Sequence, residues 1–247
     1  STSRAPGKRP AMAMRAMGSS RADAARAPSD GTPSCRSQSA CASRFHWSSL
    51  EMPANLGDDD PLALAARLTS ALVGYGATDV CITGSTALGV WATARQSRDV
   101  DLCARVPASA VPKILARFDG IAAGPPDVPG VLRLSFLRWD VDVFVMASDD
   151  PYEAACVARS IEVASAFGPV RVVSAEDLLI HKLIKLRNDR RRLLQDLADM
   201  RSLLTSQSDA IDWGYLATWL PPPELEWLTK LAAASDEDLL AAPPPRG

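Results

Sequence analysis

Apolar residues Leu62, Leu64, Leu68, Leu72 and Val73 recur at near-helical spacing, predicting a helix from Pro61 to about Tyr75. The run Asp58-Asp59-Asp60-Pro61 suits its opening, because acids favour a helix N-terminus and proline fits the first turn. Residues 79–83, Asp-Val-Cys-Ile-Thr, then predict a short buried strand ended by Gly84-Ser85, and residues 86–94 predict a small-residue helix. Residues 99–105 alternate with period two and predict a strand. A helix is expected over 109–118, with Pro112 tolerated in its first turn. The Gly/Pro-rich stretch 124–130 leads into strand 131–137, which turns near Arg138-Trp139 and returns as strand 141–145. Two short strands near 161–164 and 170–173 flank Gly168-Pro169. A long helical region, 175–204, and another near 210–234 follow. Helices alternating with strands, then helices alone, predict an α/β (α+β) sheet domain with a small C-terminal helical region.

Residues 1–50 show no such periodicity. They are built from Ser, Ala, Arg, Pro and Gly and cannot bury enough apolar surface to offset their ordering entropy. The expected organisation is a disordered extension (1–55), a sheet core (56–174), a helical region (175–240) and a disordered Pro-rich tail (241–247). A transit peptide or a basic nucleic-acid arm would share the composition of the extension. The favoured expectation is a dispensable tail or a mis-assigned start, with Met52 just ahead of the folded part.

Charge sharpens this division. Residues 1–50 carry eight Lys/Arg against two Asp, so a net charge of −2 leaves −8 on the remainder. An acidic body argues against a broad basic surface for nucleic acid. No apolar stretch approaches the ~20 residues of a membrane span, nor is there a secretory apolar core, so no membrane partner is expected. The five cysteines include no close-spaced pair of metal-binding or redox type. A reduced, cytoplasmic protein is the expectation.

Candidate chemistry concentrates between Ile82 and Leu102. Gly84-Ser85 lies between a predicted strand and a predicted helix, where glycine lets the backbone approach a phosphate and the helix start offers free N–H groups. Fifteen residues later comes Asp99, then Asp101. Strand alternation puts both carboxylates on one face, with Val100 and Leu102 turned into the core. Two such acids repel and lose solvation unless a cation joins them, and hard oxygen ligands suit Mg²⁺. A solvated strand face, with Arg98 and Arg105 as partners, would explain an isolated Asp-x-Asp equally well. A second pair, Asp140 and Asp142, weakens that explanation. Asp142 sits among Val141, Val143 and Phe144, where an unpaired acid is expensive, so it is the expected third acid, with Asp140 as the alternative.

These residues resemble the nucleotidyltransferase superfamily of the DNA polymerase β type, which carries a Gly-Ser or Gly-Gly turn, an Asp-x-Asp strand and a third acid on a neighbouring strand. Here the positions read Gly84-Ser85, Asp99-Val100-Asp101 and Asp142. Downstream, Val173–Leu183 and then Arg187, Arg190, Asp196 and Asp199 look like the Lys- and Asp-bearing helices of the bacterial AbiE-type toxin and small uncharacterised branch. Ser85 stands where that branch commonly has glycine. The resemblance spans roughly residues 62–204 and implies a mixed β-sheet core flanked by helices. It further implies transfer of a nucleoside monophosphate from an NTP to an acceptor hydroxyl, releasing pyrophosphate. Asp99, Asp101 and Asp142 would be catalytic and would hold two Mg²⁺ ions; Gly84, Ser85 and Lys182 would bind nucleotide. The toxin-like branch would add tRNA as acceptor and an antitoxin protein as partner. A non-catalytic nucleotide- or partner-binding protein, or an adenylyltransferase acting on a small-molecule antibiotic, are the alternatives.

The long helix also has a plainer explanation. Ser174-x-x-Asp177 fits a capping box, and Leu179, Leu183, Leu186, Leu193, Leu197 and Leu204 form a core-facing stripe. On another face fall Lys182, Lys185, Asp189, Arg192, Asp196 and Asp199, which alone predict a solvated face with pairs such as Arg192–Asp196. His46 and His181 lack partners at ligand spacing, so no zinc site follows. Trp213, Trp219 and Trp227 fit helix packing rather than base stacking.

Overall fold

The structure is a computed structural model describing residues 60–123, 130–188 and 190–234. The expectations for the N-terminal extension, most of the 124–130 loop and the C-terminal tail fall outside the described residues. The first helix, α1 (Pro61–Gly74), opens as its sequence predicts: the Asp60 carboxylate accepts the Leu62 N–H at 2.9 Å, and Pro61 occupies the first turn. Strand β1 (Thr78–Thr83) runs directly into α2 (Gly84–Trp91), two residues earlier than the expected helix start. Then come β2 (Asp99–Arg105), α3 (Val111–Arg117), β3 (Ile121–Ala123) and the hairpin of β4 (Val131–Phe136) and β5 (Trp139–Val145).

Helix α4 (Pro151–Arg159) was not anticipated from the apolar pattern, although its start is written in the chain. Asp150 accepts the N–H of Tyr152 at 2.8 Å, and Pro151 follows it into the first turn. The second hairpin, β6 (Ile161–Ser165) and β7 (Gly168–Val172), leads to α5 (Ala175–Asn188). The Ser174 hydroxyl donates to Asp177 Oδ2 at 2.7 Å and accepts the Asp177 N–H at 3.1 Å, the expected capping arrangement.

The predicted 175–204 helix is broken. A 3₁₀ turn (Arg190–Arg192) separates α5 from α6 (Leu193–Ser206), and the two pack against each other. The C-terminal helical stretch likewise divides into α7 (Trp213–Trp219) and α8 (Pro222–Ala233), with Pro221 and Pro222 marking the boundary.

The seven strands form one mixed sheet in the order β3-β4-β5-β2-β1-β7-β6. Strands β2 and β5 pair in parallel, as do β1 and β7; the other neighbours are antiparallel. Register places Leu132, Val143, Leu102, Ile82 and Val172 in a straight row across five strands, each wholly buried. A one-residue step along each strand turns the side chains to the opposite face. That step produces a second row of very different character: Arg133, Asp142, Asp101, Thr83. The core thus fixes, through strand alternation, where the polar row must stand. No helix among the described residues is long and apolar enough to cross a membrane.

Candidate functional site

Asp101 on β2 and Asp142 on β5 are register partners on parallel strands, so their side chains project from the same face. Asp99 and Asp140 form the adjacent pair, giving four carboxylates in two rows. Their surroundings differ. Asp101 is buried, Asp142 and Asp99 are partly covered, and Asp140 is exposed. Burial first, and then the negative charge of Asp101, push the Asp142 carboxyl above its usual range, with Arg133 and Lys185 pulling in the opposite direction.

The other side of Asp101 meets the turn between β1 and α2. Gly84 has φ +64°, a left-handed conformation that reverses the chain from strand to helix without an intervening residue. A Cβ at this position would lie 2.6 Å from Asp101 Cγ, so the carboxylate fits only against a glycine. Ser85 is buried, and its hydroxyl reaches the backbone carbonyl of Asp99 at 3.5 Å. No side chain caps α2, which leaves the first N–H groups of that helix unspent beside the acids.

Cations approach the acids from three elements. Arg133 Nε on β4 lies 4.0 Å from Asp142, and Arg192 Nη1 in the 3₁₀ turn lies 3.8 Å from Asp99. Exposed Lys185 on α5 acts electrostatically on Asp142. The partners expected from sequence are different ones: Arg105 instead pairs with Asp79 at 3.2 Å.

The structure therefore gathers Gly84, Ser85, Asp99, Asp101 and Asp142, five of the residues singled out from sequence. Lys182 is placed elsewhere. Its ammonium is buried and donates to Asp196 Oδ1 at 3.2 Å and Asp199 Oδ2 at 2.6 Å. Asp199 also accepts from Arg95 Nε at 3.1 Å. Of the polar face expected to be solvated, Lys182, Asp196 and Asp199 instead form an ion cluster closed between α5 and α6, because the helix break folds one against the other. Arg192, expected to pair with Asp196, donates to Gln195 and faces Asp99. Arg133 is the residue that sequence reasoning passed over; Lys185 was read only as part of a solvated face, and His181, whose ring reaches Thr83, only as a histidine without a zinc partner. Lys185 shares a helix face with Lys182, and only the position of α6 decides which of the two is buried.

Among the described residues, no three His, Cys, Asp or Glu side chains already stand as a metal-holding group. Mg²⁺ does not require one, since it keeps several waters and is commonly held by one or two carboxylates plus phosphate oxygens. The adjacent Asp101 and Asp142, hard oxygen donors repelling each other across two strands, fit that ion.

Among solved structures, the chain is similar to an antigenic nucleotidyltransferase-like protein from Paracoccidioides brasiliensis, at 17% identity and a TM-score of 0.50 over 75% of this chain and 93% of that one. It is also similar to the antibiotic-resistance factor ANT(2'')-Ia, at 14% identity and a TM-score of 0.39 over 73% of this chain and 93% of that one. The first likeness shows a shared nucleotidyltransferase-like fold, and neither singles out the AbiE-type branch. No protein-family model matches the sequence, and no curated protein matches it.

Proposed function

We propose that this chain is a nucleotidyltransferase, moving a nucleoside monophosphate from an NTP to an acceptor hydroxyl and releasing pyrophosphate. The observation carrying this reading is that Asp101, paired in register with Asp142, stands directly against the uncapped Gly84-Ser85 turn. An acid pair next to free helix N–H groups is suited to a triphosphate that arrives with its cation. Mg²⁺ held by Asp101 and Asp142, with Asp99 beside them and a second ion accommodated, would neutralise developing charge on the phosphate oxygens.

The chain's own groups have separable tasks. Gly84, Ser85 and the start of α2 hold the β- and γ-phosphates. Lys185 and Arg192 offset their charge. Asp142, whose carboxyl is already biased toward protonation, accepts the proton of the acceptor hydroxyl as that oxygen bonds to the α-phosphorus. The bond from the α-phosphorus to the β-bridging oxygen breaks, and pyrophosphate leaves. Lys182, enclosed by Asp196 and Asp199, serves the nucleotide indirectly by locking α5 against α6.

The acceptor hydroxyl would belong to tRNA or to a small-molecule antibiotic. A toxin role, an antitoxin partner and a cytoplasmic setting would accompany a tRNA acceptor. One observation favours a second reading, a non-catalytic nucleotide-binding protein: Asp99 already faces a cation of the chain itself, Arg192, at 3.8 Å.

The deciding experiment incubates the full chain with Mg²⁺ and each α-³²P-labelled NTP, offering total RNA, purified tRNA or aminoglycosides. Label on one acceptor, lost in the Asp101→Asn variant, supports the transferase reading. Nucleotide binding without transfer to any acceptor, and indifferent to Asp101→Asn, favours the binding protein.

A further inference from the structure

His181 lies on α5, outside the acid row, yet its Nδ1 shares a 2.8 Å hydrogen bond with Thr83 Oγ1, 98 residues away in the chain. The ring is fixed from a different direction by α4. Tyr152 packs edge-on against it at 6.0 Å and 83°, and Cys156, also on α4, acts on it electrostatically. The imidazole thus bridges α4 and α5 to the last residue of β1.

Thr83 occupies a telling position. It is the N-cap residue of α2, with extended backbone (φ −132°, ψ −165°), and threonine there ordinarily accepts a hydrogen bond from the second or third N–H of its helix. Here it makes no such bond. Its hydroxyl is turned toward His181 instead, out of line with those N–H groups. The consequence is chemical: the N–H groups of Ser85 and Thr86, which a capping Thr83 would occupy, stay available for an anion beside Asp101. Thr83 is also the register partner of Asp101, so the hydroxyl so diverted stands at the acid row itself.

We infer that His181 is a positioning residue for the nucleotide site, holding the Thr83 hydroxyl off the start of α2 so that the helix N–H groups remain open to the triphosphate. This rests on the nucleotide-transfer reading and adds to it a residue that touches neither metal nor nucleotide. Without His181, Thr83 is released to cap its own helix and competes with the phosphates intramolecularly.

The test is an epistasis measurement on the full chain, using Mg²⁺ and inorganic tripolyphosphate as the probe and calorimetric titration as the readout. Removing the imidazole in His181→Leu is expected to weaken binding by roughly three- to tenfold, the worth of one hydrogen bond's competition. His181→Asn, which keeps a polar atom where Nδ1 stood, restores affinity despite losing the ring's contact with Tyr152. The double variant His181→Leu/Thr83→Val also restores it, because the competing hydroxyl is gone. Thermal melts confirm that each variant is folded, with Thr83→Val alone as the mildest change. A purely architectural His181 would lower the melting temperature and leave the affinity of the folded fraction unmoved. Wild-type-like affinity in His181→Leu, or no recovery in the double variant, overturns the inference while the nucleotide reading stands. If the wild-type chain binds no tripolyphosphate, the nucleotide reading and the inference are both overturned.

Discussion

Asp101 and Asp142 sit opposite each other on the parallel strands β2 and β5, while Gly84 closes over Asp101 with no room for a side chain. Like charges this close cost folding free energy, and the unfolded chain does not bear that cost. The fold pays it where a cationic ligand would reverse the sign.

That tension makes Asp142 a residue whose neutralisation separates stability from activity. Its carboxyl is raised above the usual value by burial and by Asp101. A raised folded-state pKa means a contribution to stability present at low pH and lost as pH rises through the folded value. At pH 7 Asp142 is therefore a net liability, and Asp142→Asn should unfold at slightly higher urea than wild type. Transfer activity should fall by roughly 10²- to 10³-fold, corresponding to several kcal/mol of lost transition-state stabilisation. A variant both less stable and fully active would contradict both halves.

Gly84→Ala tests the turn. The substitution forces an L-residue to φ +64° and drives a Cβ to 2.6 Å from Asp101 Cγ. A destabilisation of about 2–3 kcal/mol in urea titrations is expected, together with loss of transfer. A cost below about 0.5 kcal/mol would mean that Asp101 has room to move.

Lys182→Met addresses the enclosed ion cluster. It leaves Asp196 and Asp199, both buried, without the ammonium between them. Removing one partner of a buried pair costs about 3–5 kcal/mol, read from the urea midpoint at pH 7. Lys185→Met, on an exposed side chain of the same helix, should change stability by less than about 0.5 kcal/mol while raising the KM for NTP. If Lys182→Met were as mild as Lys185→Met, the cluster would not be holding α5 to α6.

Glu153 supplies a pH signature away from the acids. Burial first, then the negative charge of Asp150, lift its carboxyl from the usual 4.5 to about 7. Folding is favoured while the group is protonated, so its contribution is full below pH 4.5 and declines as pH rises through about 7. Glu153→Gln should flatten the stability profile over that interval and raise the melting temperature at pH 8. An unchanged slope would remove Glu153 as its source.

The sequence by itself determined the local chemistry of this protein. Period-two alternation put Asp99 and Asp101 on one strand face, the Asp60-Pro61 and Ser174-x-x-Asp177 signals opened α1 and α5, and Gly84-Ser85 marked the strand-to-helix turn. Each of these depends on neighbours a few residues apart, which the backbone geometry relates directly. Helix α4 was equally local, and Asp150-Pro151 announced it, but at nine residues it has too few turns for its apolar positions to establish a period. What only the tertiary structure decided was which distant residues meet. Parallel pairing of β2 with β5 chose Asp142 to stand beside Asp101 and left Asp140 exposed. The break after α5 buried Lys182 against Asp196 and Asp199 and left Lys185 outside, although the two lysines share one helix face. Thr83 and His181, 98 residues apart, were joined by packing alone. Such contacts arise because burial of the apolar row fixes the register of the sheet and the seat of its helices, and the polar groups on the other face take whatever partners that packing brings.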